Sequence, residues 1–441
     1  MTDVSAATTP WTHPSRRPFR FAVLACAGLL AYGSYFAYDA VGAMAPTLME
    51  AWHTTQEGIG WLYTIYSIAA ILTVLVGGVL IDRIGTRAAS LVFSALVVLG
   101  AAIVALSPSV PVAIVGRFIF GAGSETLIVA QSAILARWFR GKELALSFGI
   151  TLAIARLGTL FSFNTVSSTV SRFGWKAALW VAVGLCVLSL AANAAYWVLD
   201  ARGERVLGLA EGEAGDRIVF ADIRKFTSSY WFVVLLCVTF YSAIFPFTAL
   251  STDFFHEKWG LPLTVEGGGT FLAAVFRDFL HMFSTAPGTS SIIIFASMCF
   301  APFAGGLVDR VGRRGTLMLL GAALMIPCYL ALGFTTVAPR YPMILLGAAF
   351  VLVPAAMWPA VPQIVEKNRV GTAFGLMTMT QNIGLALFPW LNGRLRVATQ
   401  SYQASMVMFA LLGTAGFVFA LLLRRADARA GGALERPSRA A

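Results

Sequence analysis

Four charged side chains interrupt long apolar runs: Asp39, Arg117, Glu125 and Arg156. A charge held near the middle of a bilayer costs about 3 kcal/mol or more, so it faces a cavity or a partner and has a task. Glu125 and Arg156 stand equally far on either side of the polar turn Trp138-Phe139-Arg140-Gly141-Lys142. At about 1.5 Å per residue, a helical hairpin folded there brings both to one depth near the midplane. An anion and a cation side by side match a zwitterion, with Glu125 taking an amine and Arg156 a carboxylate. The same spacing would serve a salt bridge that locks the hairpin. Arg117 opens R-x-x-x-G-x-G with Gly121 and Gly123. The glycines suit close helix packing, and the cation suits gating or a proton relay. Tyr35, Tyr38 and Asp39 share one helix face by their i, i+3, i+4 spacing. That face fits either a cavity wall or an interfacial aromatic belt.

The elements that position these groups are membrane spans. Of the 441 residues, 58% are hydrophobic and 12% charged, against about 45–50% and about 25% in a soluble domain. A water-soluble enzyme is excluded. Apolar stretches cover roughly 19–48, 58–81, 87–107, 110–136, 142–169, 175–199, 229–254, 289–308, 315–335, 340–364, 371–393 and 403–423. Each is long enough for the ~20 residues a spanning helix needs. The charged segment Asp200–Lys225 divides them six and six. With the N-terminus inside, cytoplasmic segments hold 23 of the 32 Lys and Arg residues and outer loops hold 7. That bias places both termini in the cytoplasm. The net charge of +11 is therefore read as positive inner loops, not as a nucleic-acid surface. Met1–Arg20 is a cytoplasmic tail, because the apolar run after it is too long for a signal peptide and lacks a small-residue cleavage site. The five cysteines form no CxxC pair and the four histidines fall outside the spans. No disulfide framework, metal or cofactor is expected, and no catalytic constellation is present.

An internal repeat relates the two sets of spans. Gly77-Gly78-Val-Leu-Ile-Asp82-Arg83-Ile-Gly85-Thr-Arg87 returns as Gly305-Gly306-Leu-Val-Asp309-Arg310-Val-Gly312-Arg313-Arg314, with the aspartates 227 residues apart. Phe148-Gly149 returns as Phe374-Gly375 after 226 residues. The halves are parallel repeats about an axis along the membrane normal. A carboxylate at Asp82 can meet the positive end of a helix from the other half when the inner side is closed. Asp82, Arg83, Arg87, Asp309, Arg310 and Arg313, with Arg117, are thus candidate gating residues; the alternative is a plain basic turn. By the repeat, Asn382 stands where Arg156 stands, and Gln381 and Trp358 are the other polar groups of the second half. A charged wall faces a neutral one. Pro354, Pro359 and Pro362 are expected to break the helix around Trp358.

The duplicated G-G-x-x-x-D-R-x-G-x-R loop is the signature of the major facilitator superfamily, and the whole chain resembles that family. The resemblance implies two six-helix bundles, a central cavity and alternating access. Within it, the chain resembles the major facilitator superfamily domain-containing protein 1 family, lysosomal dipeptide carriers, and its bacterial relatives. The residues that carry this are Tyr35-Phe36-Ala37-Tyr38-Asp39, Ser124-Glu125, Ala130-Gln131, Trp138 to Leu144 and Ala155-Arg156-Leu157-Gly158. In the second half they are Phe245-Pro246-Phe247, Trp358-Pro359, Gly371 to Gly375 and Gln381-Asn382. This resemblance implies a general dipeptide carrier in which Glu125 and Arg156 hold the peptide termini. Ala40-Val41-Gly42 departs from the family's pattern, and Met1–Arg20 carries no acidic dileucine address.

The expected fold is an all-α polytopic membrane protein of twelve transmembrane helices in two six-helix bundles. Its segments are a cytoplasmic tail (1–18), a first bundle (19–199), a cytoplasmic linker (200–228), a second bundle (229–423) and a second tail (424–441). The expected function is dipeptide transport by uniport in a bacterial inner membrane, as a monomer in the lipid bilayer without an accessory subunit. Glu125, Arg156, Tyr35, Tyr38, Asp39, Trp358, Gln381 and Asn382 are the expected substrate contacts. The alternative is a proton-coupled facilitator, either a symporter or an exporter of drugs or organic anions. The E-x-x-E-R run of proton-coupled peptide symporters is absent from the first span.

Overall fold

The computed structural model describes residues 13–139, 143–207, 223, 225–265, 269–366 and 369–436, without the side chains at 74, 75, 78, 79, 82, 145, 207, 305 and 309. Apolar runs in lipid must satisfy their own backbone groups, which leaves the helix as the economical conformation. The helices are α1 (Arg17–Ala43), α2 (Ala45–Ala51), α3 (Gln56–Leu106), α4 (Val110–Phe139), α5 (Leu144–Phe173), α6 (Trp175–Leu207) and α7 (Ser228–Trp259). They continue as α8 (Phe271–Leu280), α9 (Ala286–Val311), α10 (Arg314–Phe334), α11 (Arg340–Ile364), α12 (Val370–Thr399) and α13 (Gln403–Arg429). Among the described residues, ten helical stretches are long and apolar enough to cross a membrane. The part of α3 before Gly85, and α12, are two further long helical stretches, at the positions expected for the second and eleventh spans.

The signature loops have the same backbone role in both halves. α3 reverses at Gly85, whose φ is 79°, and α9 ends at Gly312, whose φ is 69°. Side-chain-bearing residues rarely adopt that left-handed region, so the glycine three residues after the aspartate in each copy follows from the turn. The side chains of Asp82 and Asp309 lie outside the described part of the structure, and so do residues 140–142 of the turn between α4 and α5.

One expectation is corrected. α11 runs unbroken through Pro354, Pro359 and Pro362. α6 continues into the charged segment as far as Leu207, and Asp200 on it is fully buried. Asp200 pairs with Arg87 and Arg137, each at 3.2 Å, and accepts from the Trp138 indole at 2.8 Å. α13 reaches Arg429, and Leu434 beyond it is buried. The outer loop between α7 and α9 contains a helix, α8, that the apolar runs do not reveal.

α1 and α3–α6 pack together, as do α7 and α9–α13. The two sets meet at the face opposite the chain termini, here the distal face. There the Trp390 indole donates to Glu57 at 2.9 Å, Gln56 donates to Asp253 at 3.1 Å, and Asn164 donates to Ser291 at 2.9 Å. Backbones touch too: a Cβ on Gly393 would stand 2.2 Å from the Gln56 carbonyl oxygen. At the face that carries the termini, the described ion pairs each stay within one set: Arg17 and Arg20 with Glu143, Arg87 with Glu204, and Arg424 with Glu435. The Arg17 hydrogen bond, helped by Arg20, holds the Glu143 carboxyl below its ordinary range.

Candidate functional site

The two informative charges are not each other's partner. Among the described ion pairs, none joins Glu125 to Arg156. The locked-hairpin alternative does not apply to this conformation. Glu125, half-buried on α4, takes a hydrogen bond from Tyr66 of α3 at 2.7 Å through Oε1. The same hydroxyl lies 3.1 Å from Ser124 Oγ, which in turn bonds Ser34 of α1. Oε2 has no hydrogen bond among the described residues. The carboxylate is therefore oriented through one oxygen and open at the other.

Arg156, half-buried on α5, reaches across to the second half. Its guanidinium carbon stands 4.0 Å from the centroid of the Phe350 ring on α11. Among the described residues this guanidinium has neither an ion pair nor a hydrogen bond. An arginine carries five N–H donors in a plane. Stacking covers the face of that plane and leaves the donors on its edge unused. Tyr35 of α1 is within electrostatic reach of Glu125, Arg156 and Asp39, so the three charges and this phenol share one region. Asp39 is buried, accepts from Thr159 at 2.6 Å, and ties α1 to α5 one turn beyond Arg156. That excludes the interfacial-belt reading for Asp39.

Tyr38 serves a different cation. Arg117 is 2% exposed and its guanidinium stands 4.9–5.8 Å from the rings of Tyr38, Tyr63, Tyr66 and Phe120. It donates to the carbonyls of Leu62 at 3.3 Å and Tyr38 at 3.2 Å. All these partners lie on α1, α3 and α4, so in this conformation Arg117 pins three helices of one half together. Close packing through Gly121 is part of the same joint, since a Cβ there would stand 2.6 Å from the Tyr66 carbonyl oxygen.

The opposing wall is aromatic. The Trp358 indole donates to Tyr241 at 3.0 Å, and Tyr241 stacks on Phe245 with ring centroids 5.7 Å apart. Phe245 meets Phe350 edge-on at 5.7 Å. Gln381 accepts from the Cys237 thiol at 3.5 Å. Asn382 is buried and donates to Thr378 of its own helix at 3.1 Å. The gating candidates are dispersed: Arg83, Arg310 and Arg313 are exposed, and Arg87 is bound to α6.

Tyr66, Tyr241 and Phe350 were missed from sequence. The pairs Tyr63/Tyr66 and Tyr241/Phe245 have helical spacing that could have drawn attention; Phe350 is one apolar residue in an apolar run and gives no signal.

The chain is 32% identical over 397 residues to the lysosomal dipeptide transporter MFSD1 of Danio rerio, covering 87% of this chain and 82% of that protein. It is 31% identical over 440 residues to the Homo sapiens protein of the same name, covering 97% and 90%. Its fold matches a bacterial homologue of the human lysosomal transporter Spinster, solved inward-facing and occupied, with a TM-score of 0.69, 13% identity, and 96% and 100% of the two chains covered. The model of the Major Facilitator Superfamily matches residues 24–389 and 279–439, and the chain belongs to that family of membrane transporters.

Proposed function

We propose that this protein carries dipeptides by alternating access, as a uniporter, with Glu125 holding the amine and Arg156 the carboxylate. The observation that carries the reading is the pair of unspent valences among the described residues: the free donors of Arg156 and the free oxygen of Glu125, both within electrostatic reach of Tyr35. Both groups are prepared for a ligand, because Tyr66 fixes one and Phe350 the other. A dipeptide carries its two charges farther apart than an amino acid does, which suits two charges that are not each other's partner. Tyr241, Phe245 and Trp358 offer apolar faces that tolerate varied side chains. The name of the relatives, lysosomal dipeptide transporter, agrees.

The Lys/Arg bias supports a cytoplasmic position for the face carrying the termini, and the membrane proposed is a bacterial inner membrane. The conformation, joined at the distal face, is then inward-facing. Substrate on the Arg156 edge would add a carboxylate to a guanidinium already stacked on the other half, so binding and the approach of the halves share one residue.

The test is a thermal-shift screen of purified protein against amino acids, dipeptides, tripeptides and drugs, because a ligand that binds the folded state raises its stability. Dipeptides are expected to stabilise and free amino acids to do so less. Stabilisation by cationic drugs alone would overturn the reading. One observation favours a second reading, proton coupling: Asp39 is a buried carboxylate in electrostatic reach of Arg156. In proteoliposomes, uniport gives uptake down the dipeptide gradient that ignores an imposed proton gradient; concentrative uptake abolished by a protonophore establishes the second reading.

A further inference from the structure

The segment between α7 and α9 is written as an outer loop, yet it holds an amphipathic helix with an uncovered face. Leu272, Phe276 and Leu280 of α8 are 76%, 64% and 65% exposed, and Phe283 just beyond is exposed as well. Their spacing of four residues puts them on one side of the helix. The other side, with Ala274 and Asp278, is buried against the protein. Asp278 accepts from Val265 N at 3.1 Å and from Ser168 of α5.

α8 also descends along α5. Its first residue, Phe271, meets Phe173 at the distal end of α5 with centroids 5.6 Å apart. Its ninth, Phe279, meets Phe161, three turns deeper on α5, at 4.9 Å. Phe161 and Phe173 are themselves exposed to the surroundings of the bundle. The apolar face of α8 is thus continuous with the lipid-facing flank of a membrane-spanning helix.

We propose that α8 lies in the distal leaflet of the bilayer, with Leu272, Phe276, Leu280 and Phe283 among the acyl chains. An amphipathic helix at a membrane buries its apolar face among the acyl chains and turns its polar side away from them. Backbone at that depth must satisfy itself, and the turn that follows does so: His281 N bonds Arg277 O, Met282 N bonds Phe279 O, and Ser284 N bonds His281 O. Thr270 caps the start of α8, and Thr285 caps the start of α9. His281, exposed just past the apolar face, presents a polar tip of the kind that sits at headgroup level. α8 belongs to the second half by sequence and packs on α5 of the first, so it ties the two halves together on the lipid side.

The test uses the full-length protein with Cys26 and Cys299 replaced by serine and one new cysteine, Phe276→Cys, carrying a polarity-sensitive fluorophore. Gln400→Cys, in the distal turn between α12 and α13, is the aqueous control. In nanodiscs the label at 276 is expected to emit at shorter wavelength than the control. It should lose most of its emission when the lipid carries a nitroxide high on its acyl chain, and be quenched by iodide several-fold less than the control. Quenching by iodide equal to the control, with no response to nitroxide lipid, overturns the proposal and makes α8 a solvated loop. Protection from both quenchers overturns it too, and assigns the face to a second copy of the chain.

Discussion

Replacing Phe350 by leucine removes an aromatic face from Arg156 while keeping apolar volume on α11. The guanidinium carbon lies 4.0 Å from the ring centroid, inside the range where a cation–π contact acts. Such contacts are worth ~0.5 kcal/mol when exposed and ~2 kcal/mol when desolvated, and the half-buried Arg156 falls between, at ~1 kcal/mol. If the ring holds the guanidinium ready for a carboxylate, F350L weakens binding of a free dipeptide about fivefold. It leaves binding of the C-terminally amidated peptide nearly unchanged. The assay is calorimetric titration of both ligands into wild type, F350L, R156A and the double variant. The double-mutant cycle is expected to return a coupling of ~1 kcal/mol for the free peptide and none for the amide. An F350L loss of equal size in the R156A background would refute the argument, because the ring would then act on the peptide or the fold and not through Arg156.

Arg117→Leu is expected to lower the thermal unfolding temperature sharply, on the scale of ~3 kcal/mol or more, since the cavity left by a large buried side chain and the loss of its aromatic contacts add. The ratio of affinities for free and amidated dipeptide should stay unchanged in the same variant, which separates a packing cation from a substrate cation. The Glu143 carboxyl titrates below its ordinary value of 4.5 because Arg17 and Arg20 favour its charged form. Its contribution to stability is therefore complete above that value and lost as pH falls through the depressed folded-state value. Thermal melts of wild type and Glu143→Gln should differ near neutral pH and converge in stronger acid; a constant difference would count against the pairing.

The spans were legible because each is an apolar run long enough to cross lipid, and the repeat was legible because both copies need a left-handed glycine, Gly85 and Gly312. Glu125 and Arg156 announced themselves by cost: a charge in an apolar run is rare enough to be read singly. Their partners were not legible for the opposite reason. Phe350 and Tyr241 are ordinary members of apolar helices, and only tertiary packing turns them toward Arg156. Asp200 looked like linker because it opens a polar run, while the fold spends it on Arg87, Arg137 and Trp138. α8 escaped because Arg277, Asp278 and His281 interrupt its apolar residues, so periodicity and not mean apolarity was the signal.

The claim at the centre is that two opposite charges, unpaired with each other, bracket one dipeptide. Equilibrium binding of a neutral dipeptide, its N-acetylated form and its C-terminal amide to the purified wild-type protein tests it most directly. Each block leaves one partly desolvated charge without its partner, which costs roughly 2–4 kcal/mol. Both groups are half-buried, so the lower part of that range, about 30-fold in affinity, is expected for each block. Acetylation should lose its effect in Glu125→Ala, and amidation in Arg156→Ala. Blocked dipeptides that bind wild type as tightly as the free zwitterion would contradict the account.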